Sequence, residues 1–165
     1  MPPSHRRFLL IDNGLVPGII NFILNGLIIW ALYRGVPEVP LWGEPSYAVD
    51  LVITAFLLPF LTGLIVGPLV PPQVRQGKVA ALPGAVFPLA GMARRGVLVR
   101  SLLLGLMGVI FAAVPMVWLL DMANAQPLAT MSYVWFKAIW AGMLAAVITP
   151  FAAWWGLLVG SQSSE

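Results

Sequence analysis

The chain has 165 residues, of which 60% are hydrophobic and 9% are charged, against roughly 45–50% and 25% in ordinary soluble domains. A water-soluble fold of this size would lack the polar residues needed to cover its surface, so the composition indicates a lipid bilayer. The net charge of +3 does not indicate a nucleic-acid partner, because the basic residues lie in short connections between apolar segments. Cysteine is absent, which excludes disulfides and thiolate chemistry.

Four apolar segments are long enough to cross a bilayer as helices, since a crossing takes about 20 residues. They are residues 15–33, 49–70, 97–120 and 132–159. We therefore expect an all-α fold, a polytopic membrane protein with a four-transmembrane-helix bundle, forming one domain over residues 1–165.

Polar and proline residues set two of these boundaries. Asp12, Asn13 and Gly14 interrupt the apolar stretch that follows the N-terminal arginines, so the first helix is expected to begin at residue 15. It is expected to stay uncleaved, because no small-residue cleavage site follows it. Pro71 and Pro72 are expected to end the second helix.

The first helix carries a row of asparagines. Asn13, Asn21 and Asn25 are spaced by eight and four residues, so they share one helix face. An amide that faces hydrocarbon without a partner is costly. The row therefore indicates either a polar lining for a substrate or ion path, or hydrogen bonding that fixes helix packing.

The second helix offers a matching polar face. Asp50, Thr54 and Thr62 fall on one line of i, i+4 spacing, and Pro59 can free the carbonyl of Ala55. Free carbonyls and threonine hydroxyls can bind a cation or a polar substrate, although threonine can equally bond to its own helix. We treat the four facing residues as a candidate polar seam between helices 1 and 2: Asn21, Asn25, Thr54 and Thr62.

The loop at 71–96 is basic at both ends, yet residues 79–89 in its middle are apolar and rich in proline and glycine. That stretch is too short to span a bilayer. It is expected to lie at the interface, to re-enter between helices, or to cover a partner. The basic residues around it are candidate contacts for anionic lipid: Arg75, Lys78, Arg94, Arg95 and Arg100.

The distribution of basic residues predicts the orientation of the bundle. In a four-span arrangement seven of the nine lysines and arginines fall on one side, and only Arg34 and Lys137 fall on the other. Since positive charge concentrates on the cytoplasmic side, we expect a bacterial inner-membrane protein with both termini in the cytoplasm. Tryptophan and tyrosine residues cluster near the two expected membrane interfaces, which supports the same arrangement.

Asp50 and Lys137 are the charged residues nearest to the membrane interior, each within the first turns of its segment. An ion pair between helices 2 and 4 would offset much of the cost of both charges. The alternative is that Asp50 stabilises a helix N-terminus while Lys137 extends to the headgroups.

A weak internal similarity suggests that helices 1–2 and helices 3–4 form two related hairpins. A displacement of 87 residues sets Asp50 on Lys137 and Thr62 on Thr149, whereas a displacement of 91 sets Pro59 on Pro150. Two competing registers leave chance similarity open. Glycines at i, i+4 spacing, such as Gly156 with Gly160, indicate close helix approach.

The residues needed for familiar chemistry are missing. His5 is the only histidine and lies near the N-terminus, so we expect neither a metal site nor haem. Nucleophile elbows, phosphate loops and metalloprotease motifs do not occur. We therefore expect no catalysis and no cofactor.

Two functions remain as the main candidates, and an enzyme that acts on lipid is a distant third. The first is a non-catalytic membrane module, an accessory or assembly subunit of a membrane complex, with polar residues at dry helix contacts. The second is a small oligomeric transporter or channel subunit, for which the four seam residues should converge on one cavity. Both imply a lipid bilayer and a protein partner or a homo-oligomer.

Overall fold

The computed structural model describes residues 3–81 and 95–162. The described chain is helical apart from one short ladder, which confirms the all-α expectation. In chain order the elements are α1 (Pro3–Arg7), the π-helical segment π1 (Phe8–Leu15), α2 (Val16–Tyr33), β1 (Glu38–Val39), α3 (Tyr47–Arg75), α4 (Val97–Gly108), π2 (Val109–Ala113), α5 (Val114–Met122), β2 (Leu128–Ala129) and α6 (Thr130–Gln162).

These elements form four helices that are long and apolar enough to cross a membrane. We call them spans 1 to 4: His5–Tyr33, Tyr47–Arg75, Val97–Met122 and Thr130–Ser161. Each contains 26 to 32 residues, which exceeds the length needed for about 30 Å of hydrocarbon.

The expected break before residue 15 is wrong, because helix runs through Asp12, Asn13 and Gly14. The chain passes this point as the wider π-helix. A proline ring clashes with the carbonyl four residues earlier, and Pro17 lies two residues after π1, so local widening accommodates it. Asn13 assists, since its Nδ2 donates to the Phe8 carbonyl at 2.9 Å. Span 3 repeats the arrangement, with Pro115 two residues after π2.

The second helix also runs past its expected end. Pro71 and Pro72 lie inside it, and it ends at Arg75. Proline has the φ angle of a helix and lacks only the N–H group, so the final turn survives. The loop predicted at 71–96 therefore begins after Arg75, and the part of it at 82–94, including Arg94, lies outside the described residues.

Span 4 is the centre of the bundle. It packs against span 1 on one side and span 2 on the other, and span 3 packs mainly against the far side of span 2. Glycines permit the close contacts: a Cβ on Gly18 would lie 3.2 Å from the carbonyl of Gly142 in span 4, and one on Gly156 would lie 2.6 Å from Cβ of Val70 in span 2. The packing order is therefore 1–4–2–3.

The two connections at one end of the bundle are tied together. β1 and β2 pair antiparallel, with Glu38 opposite Ala129 and Val39 opposite Leu128. Next to this ribbon, Ser46 begins span 2: its Oγ accepts from the Val49 N–H at 3.3 Å and donates to the Leu41 carbonyl at 2.6 Å. We call this the ribbon end, and the opposite end, which carries Arg6, Arg7, Arg75 and Arg100, the basic end.

Candidate functional site

Spans 1 and 2 face each other across a groove whose floor is span 4. This polar groove has a volume of about 550 Å³ and is lined by all four predicted seam residues, Asn21, Asn25, Thr54 and Thr62, together with Asp50, Lys137 and Thr149. The polar seam was predicted between helices 1 and 2. The groove lies between these two spans, and span 4 closes it from behind.

The groove is long and open along one side. Its lining on span 1 extends from Pro17 to Ile29, thirteen residues whose first and last positions are about 18 Å apart along a helix. Its rims are apolar and half exposed, as at Leu24 (49%) and Leu61 (48%). The polar groups therefore lie at depth beneath hydrophobic edges.

An ion pair occupies the ribbon end of the groove. Lys137 Nζ contacts Asp50 Oδ2, and it also donates to the Asp50 main-chain carbonyl at 3.1 Å and to Thr54 Oγ1 at 2.6 Å. An ammonium group has three N–H donors, so Lys137 is fully satisfied although it is only 1% exposed. The predicted partners are thus brought together by spans 2 and 4.

Aromatic side chains enclose this pair. The Tyr133 hydroxyl donates to the same Asp50 oxygen, the Tyr133 ring lies 5.7 Å from that of Tyr47, and Lys137 Nζ lies 5.8 Å from the Trp140 ring centroid. A carboxylate that accepts two donors is well stabilised. The ion pair is therefore a fixed structural unit at Asp50 Oδ2, while no donor among the described residues pairs with Asp50 Oδ1.

The two groove asparagines each have a free oxygen. Asn21 Nδ2 donates to the Pro17 carbonyl and Asn25 Nδ2 donates to the Asn21 carbonyl, both at 3.0 Å. Because only the NH₂ side of an amide can face a carbonyl, these bonds fix the amide orientation. Among the described residues no donor pairs with either Oδ1, so both oxygens are available as acceptors.

Thr149 is the residue that sequence reasoning missed as a site. It lines the floor of the groove on span 4, is 2% exposed, and its hydroxyl has no partner in the part of the chain described. Helical hydroxyls usually bond to the carbonyl four residues earlier, as Ser101 and Ser161 do here. The displacement that aligned Thr62 with Thr149 was the available signal for it.

The carbonyl that Pro59 releases points away from the groove. A Cβ on Gly108 would overlap the Ala55 oxygen and come within 2.8 Å of Pro59 Cγ. The Ala55 carbonyl thus lies against the bare backbone of span 3, where Cα–H contacts of this kind are common. The Ala55 carbonyl therefore does not join the threonine hydroxyls of the polar groove.

A second groove lies between spans 3 and 4. This apolar groove has a volume of about 430 Å³, and its lining includes Met107, Phe111, Leu144, Ile148 and Phe151. Exchanging span 1 with span 3 and span 2 with span 4 converts the two walls of the polar groove into those of the apolar groove, but no residue of span 2 lines the apolar groove. Its lining is almost entirely apolar.

The predicted lipid-contact residues differ in exposure. Arg75, Lys78 and Arg95 are exposed at the basic end, whereas Arg100 is half buried between spans 2, 3 and 4. The described residues contain no group of three histidine, cysteine, aspartate or glutamate side chains that could hold a metal ion. Comparison of the chain with protein-family models, with curated proteins and with solved structures finds no match.

Proposed function

We propose that this chain is a non-catalytic, multi-pass subunit of a bacterial inner-membrane complex, with both termini in the cytoplasm. We propose further that its polar groove holds a transmembrane helix of a partner. The observation that carries this proposal is the pair of unpaired amide oxygens, Asn21 Oδ1 and Asn25 Oδ1, along a groove that is open on one side. The Thr149 hydroxyl, buried in the floor of the groove, is a third unpaired group.

The chemistry of these groups selects the occupant. Acyl chains offer no hydrogen-bond donors, so a groove filled by lipid would leave each polar group unsatisfied at a cost of about 1–3 kcal/mol. A helix that carries serine, threonine, asparagine or glutamine can supply donors at this depth. The length of about 18 Å also suits a crossing helix, which would contact both apolar rims.

The proposed orientation follows from the two ends of the bundle. The basic end carries most of the positive charge, on Arg6, Arg7, Arg75, Lys78 and Arg95. Arg100 also lies there, in the first turn of span 3. Among the lysines and arginines of residues 3–81 and 95–162, only Arg34, which follows span 1, and Lys137, which is neutralised by Asp50, lie toward the ribbon end. An excess of positive charge at one end is the feature that sets topology.

The absence of cysteine gives a direct test. Leu61→Cys places one thiol on the groove rim, and Ile110→Cys places a comparably exposed thiol on span 3 away from both grooves. In native membranes we expect a cross-linker with a maleimide at one end and a photoreactive diazirine at the other to join Leu61→Cys, but not Ile110→Cys, to a partner of discrete mass. The adduct should be lost when Asn25→Leu and Thr149→Val are added.

An adduct that survives removal of the polar groups would contradict the proposal, because it would show contact without polar recognition. So would the absence of any Leu61→Cys adduct in native membranes.

A small oligomeric transporter or channel subunit is the second candidate. The convergence of Asn21, Asn25, Thr54 and Thr62 on one cavity favours it, since a polar path requires that convergence. A membrane-impermeant thiol reagent distinguishes the two: rapid modification of Leu61→Cys in intact vesicles means that the groove is filled with water, whereas protection means that it is covered by protein.

A further inference from the structure

A small pocket lies at the basic end, apart from the polar groove and bordering the apolar groove, with which it shares Leu104 and Trp155. Spans 2, 3 and 4 enclose it, and its volume is about 10 Å³, the space of one water-sized group. Its lining consists of Gly63, Gly67, Arg100, Leu104, Ala152 and Trp155. The glycines on span 2 leave room where side chains would otherwise lie, so one small atom can approach the two polar residues.

Both polar residues of this pocket have a buried, unsatisfied donor. Arg100 Nε and Trp155 Nε1 are shielded from solvent, and neither has a hydrogen-bond partner within residues 3–81 and 95–162. A guanidinium and an indole can only donate. Two buried donors without an acceptor are unusual in a folded protein, and they specify an occupant that accepts hydrogen bonds.

Charge indicates that the occupant is an anion. Arg100 is always protonated, and the described residues contain a single salt bridge, that between Asp50 and Lys137 at the opposite end. In the half of span 1 that is nearest the basic end, the only described acidic residue is Asp12, and its side chain is exposed. Nothing described therefore neutralises Arg100.

The depth of the pocket narrows the choice of anion. Arg100 lies in the first turn of span 3, and Trp155 lies six residues before the end of span 4, so both are about one or two helical turns inside the basic end. In a bilayer this is the level of headgroup phosphates, where tryptophan and arginine are enriched.

We propose that Arg100 and Trp155 bind one oxygen of an anionic phosphate group, supplied by a lipid headgroup or by free phosphate. The oxygen enters the pocket and accepts from Arg100 Nε and Trp155 Nε1, while the remainder of the phosphate stays outside because the pocket holds only one atom of that size. This site uses the proposed membrane location but not the proposed occupant of the polar groove.

The test uses the full chain in detergent micelles and follows retention of phosphatidylglycerol by native mass spectrometry. Trp155→Phe removes the indole N–H and keeps an aromatic ring, and Arg100→Gln removes the charge. Since hydrogen bonds to charged groups are among the stronger ones, we expect each change to weaken retention roughly tenfold. Arg100→Lys should give an intermediate loss, because it keeps a charge and lacks the fixed Nε donor.

Two matched control variants distinguish a specific binding site from general electrostatic attraction of anionic lipid to the basic end. Arg95→Gln removes one exposed charge from the same end, and Trp118→Phe removes an exposed indole from span 3; both should change retention less than about twofold. Equal losses in Arg95→Gln and Arg100→Gln would overturn the proposal. Unchanged retention in Trp155→Phe would also overturn it and would leave the pocket to a water molecule.

Inorganic phosphate identifies the source of the anion. Displacement of phosphatidylglycerol by millimolar phosphate assigns the pocket to a soluble anion, whereas resistance assigns it to the lipid. Failure of this site is distinguishable from failure of the proposed function, because Trp155→Phe should leave the Leu61→Cys adduct intact, and Asn25→Leu with Thr149→Val should leave lipid retention intact.

Discussion

The polar groove lies between the two helices of one hairpin, spans 1 and 2, and the apolar groove lies between the two helices of the other, spans 3 and 4. Span 4 also forms the floor of the polar groove, whereas only spans 3 and 4 line the apolar groove. Lipid tails can fill the apolar groove without leaving a polar group unpaired, whereas they cannot satisfy the polar groove. The comparison shows that helix packing creates the space, and that a few amides and hydroxyls decide what can occupy it.

The packing order agrees with the prediction of two related hairpins. Exchange of spans 1 and 3 together with spans 2 and 4 leaves the order 1–4–2–3 unchanged when read from the other end. The relation between the hairpins stays a prediction. If it is correct, the grooves are two versions of one ancestral feature, and substitutions in one should have milder consequences when the other is altered in parallel.

Loss of the ion pair should have the largest effect on the polar side. Lys137→Met leaves the Asp50 carboxylate without its cation, and we expect a loss of about 3 kcal/mol in the free energy of unfolding, measured in detergent micelles. Adding Asp50→Asn to this variant should recover part of the loss, because no unpaired charge remains. Full stability of the single variant would show that the two charges do not depend on each other.

Gly108→Ala should have the largest effect on the apolar side. The new methyl group would overlap the Ala55 carbonyl, and because backbone cannot yield easily, we expect a loss of about 2 kcal/mol in the same unfolding measurement. Gly67→Ala is the matched control, since a Cβ there has no neighbour within 4 Å, and it should be neutral or slightly stabilising. Equal effects of the two changes would mean that spans 2 and 3 are not in close contact.

Thr149→Val should stabilise the isolated protein. The change replaces an unpaired buried hydroxyl with a methyl group of similar size, and the expected gain is about 1 kcal/mol. Thr54→Val, the same chemical change at the ribbon end, should instead destabilise by a comparable amount, because Thr54 accepts from Lys137. A loss of stability in Thr149→Val would show that its hydroxyl is already bonded in the free protein, and the proposed partner would lose an anchor.

Asn25→Leu should have the smallest effect on stability. It removes an amide whose only bond is local, to the Asn21 carbonyl, so we expect a change below about 0.5 kcal/mol. Its expected effect is on recognition, and the yield of the Leu61→Cys adduct in native membranes should fall. A large loss of stability would indicate that Asn25 acts in helix packing. The amide would then distinguish the two grooves by its effect on stability and not by what it binds.

The number of helices was predictable from the sequence, since apolar length alone determines it. Their ends were less predictable: Asp12, Asn13 and Gly14 look like a break, and the π-helix that carries them depends on Pro17 and on the bond from Asn13 to Phe8. Packing order was not predictable, because helices that are apolar on every face carry no pattern that identifies their neighbours.

The residues of the polar groove were largely predictable, because an amide or hydroxyl within an apolar span must be accommodated somewhere. The position of span 4 behind them was not, and Thr149 was missed for that reason. The position of Arg100 was only partly predictable, because Arg100 lies inside the apolar segment at 97–120 whereas the exposed Arg95 precedes it. The direction in which Arg100 faces depends on the space left by Gly63 and Gly67 on another helix.

The ribbon of Glu38–Val39 and Leu128–Ala129 has a mechanical consequence. It ties the connection between spans 1 and 2 to the connection between spans 3 and 4 at one end, and the ion pair of Asp50 with Lys137 lies just beneath it. The basic end is tied as well, because His5 Nε2 lies 2.6 Å from the Ala80 carbonyl oxygen and Leu9 of span 1 shares a buried cluster with Val70 and Val74 of span 2. Spans 1 and 2 are therefore held together beyond both ends of the polar groove, so a movement that widens the groove must bend the middle of these helices.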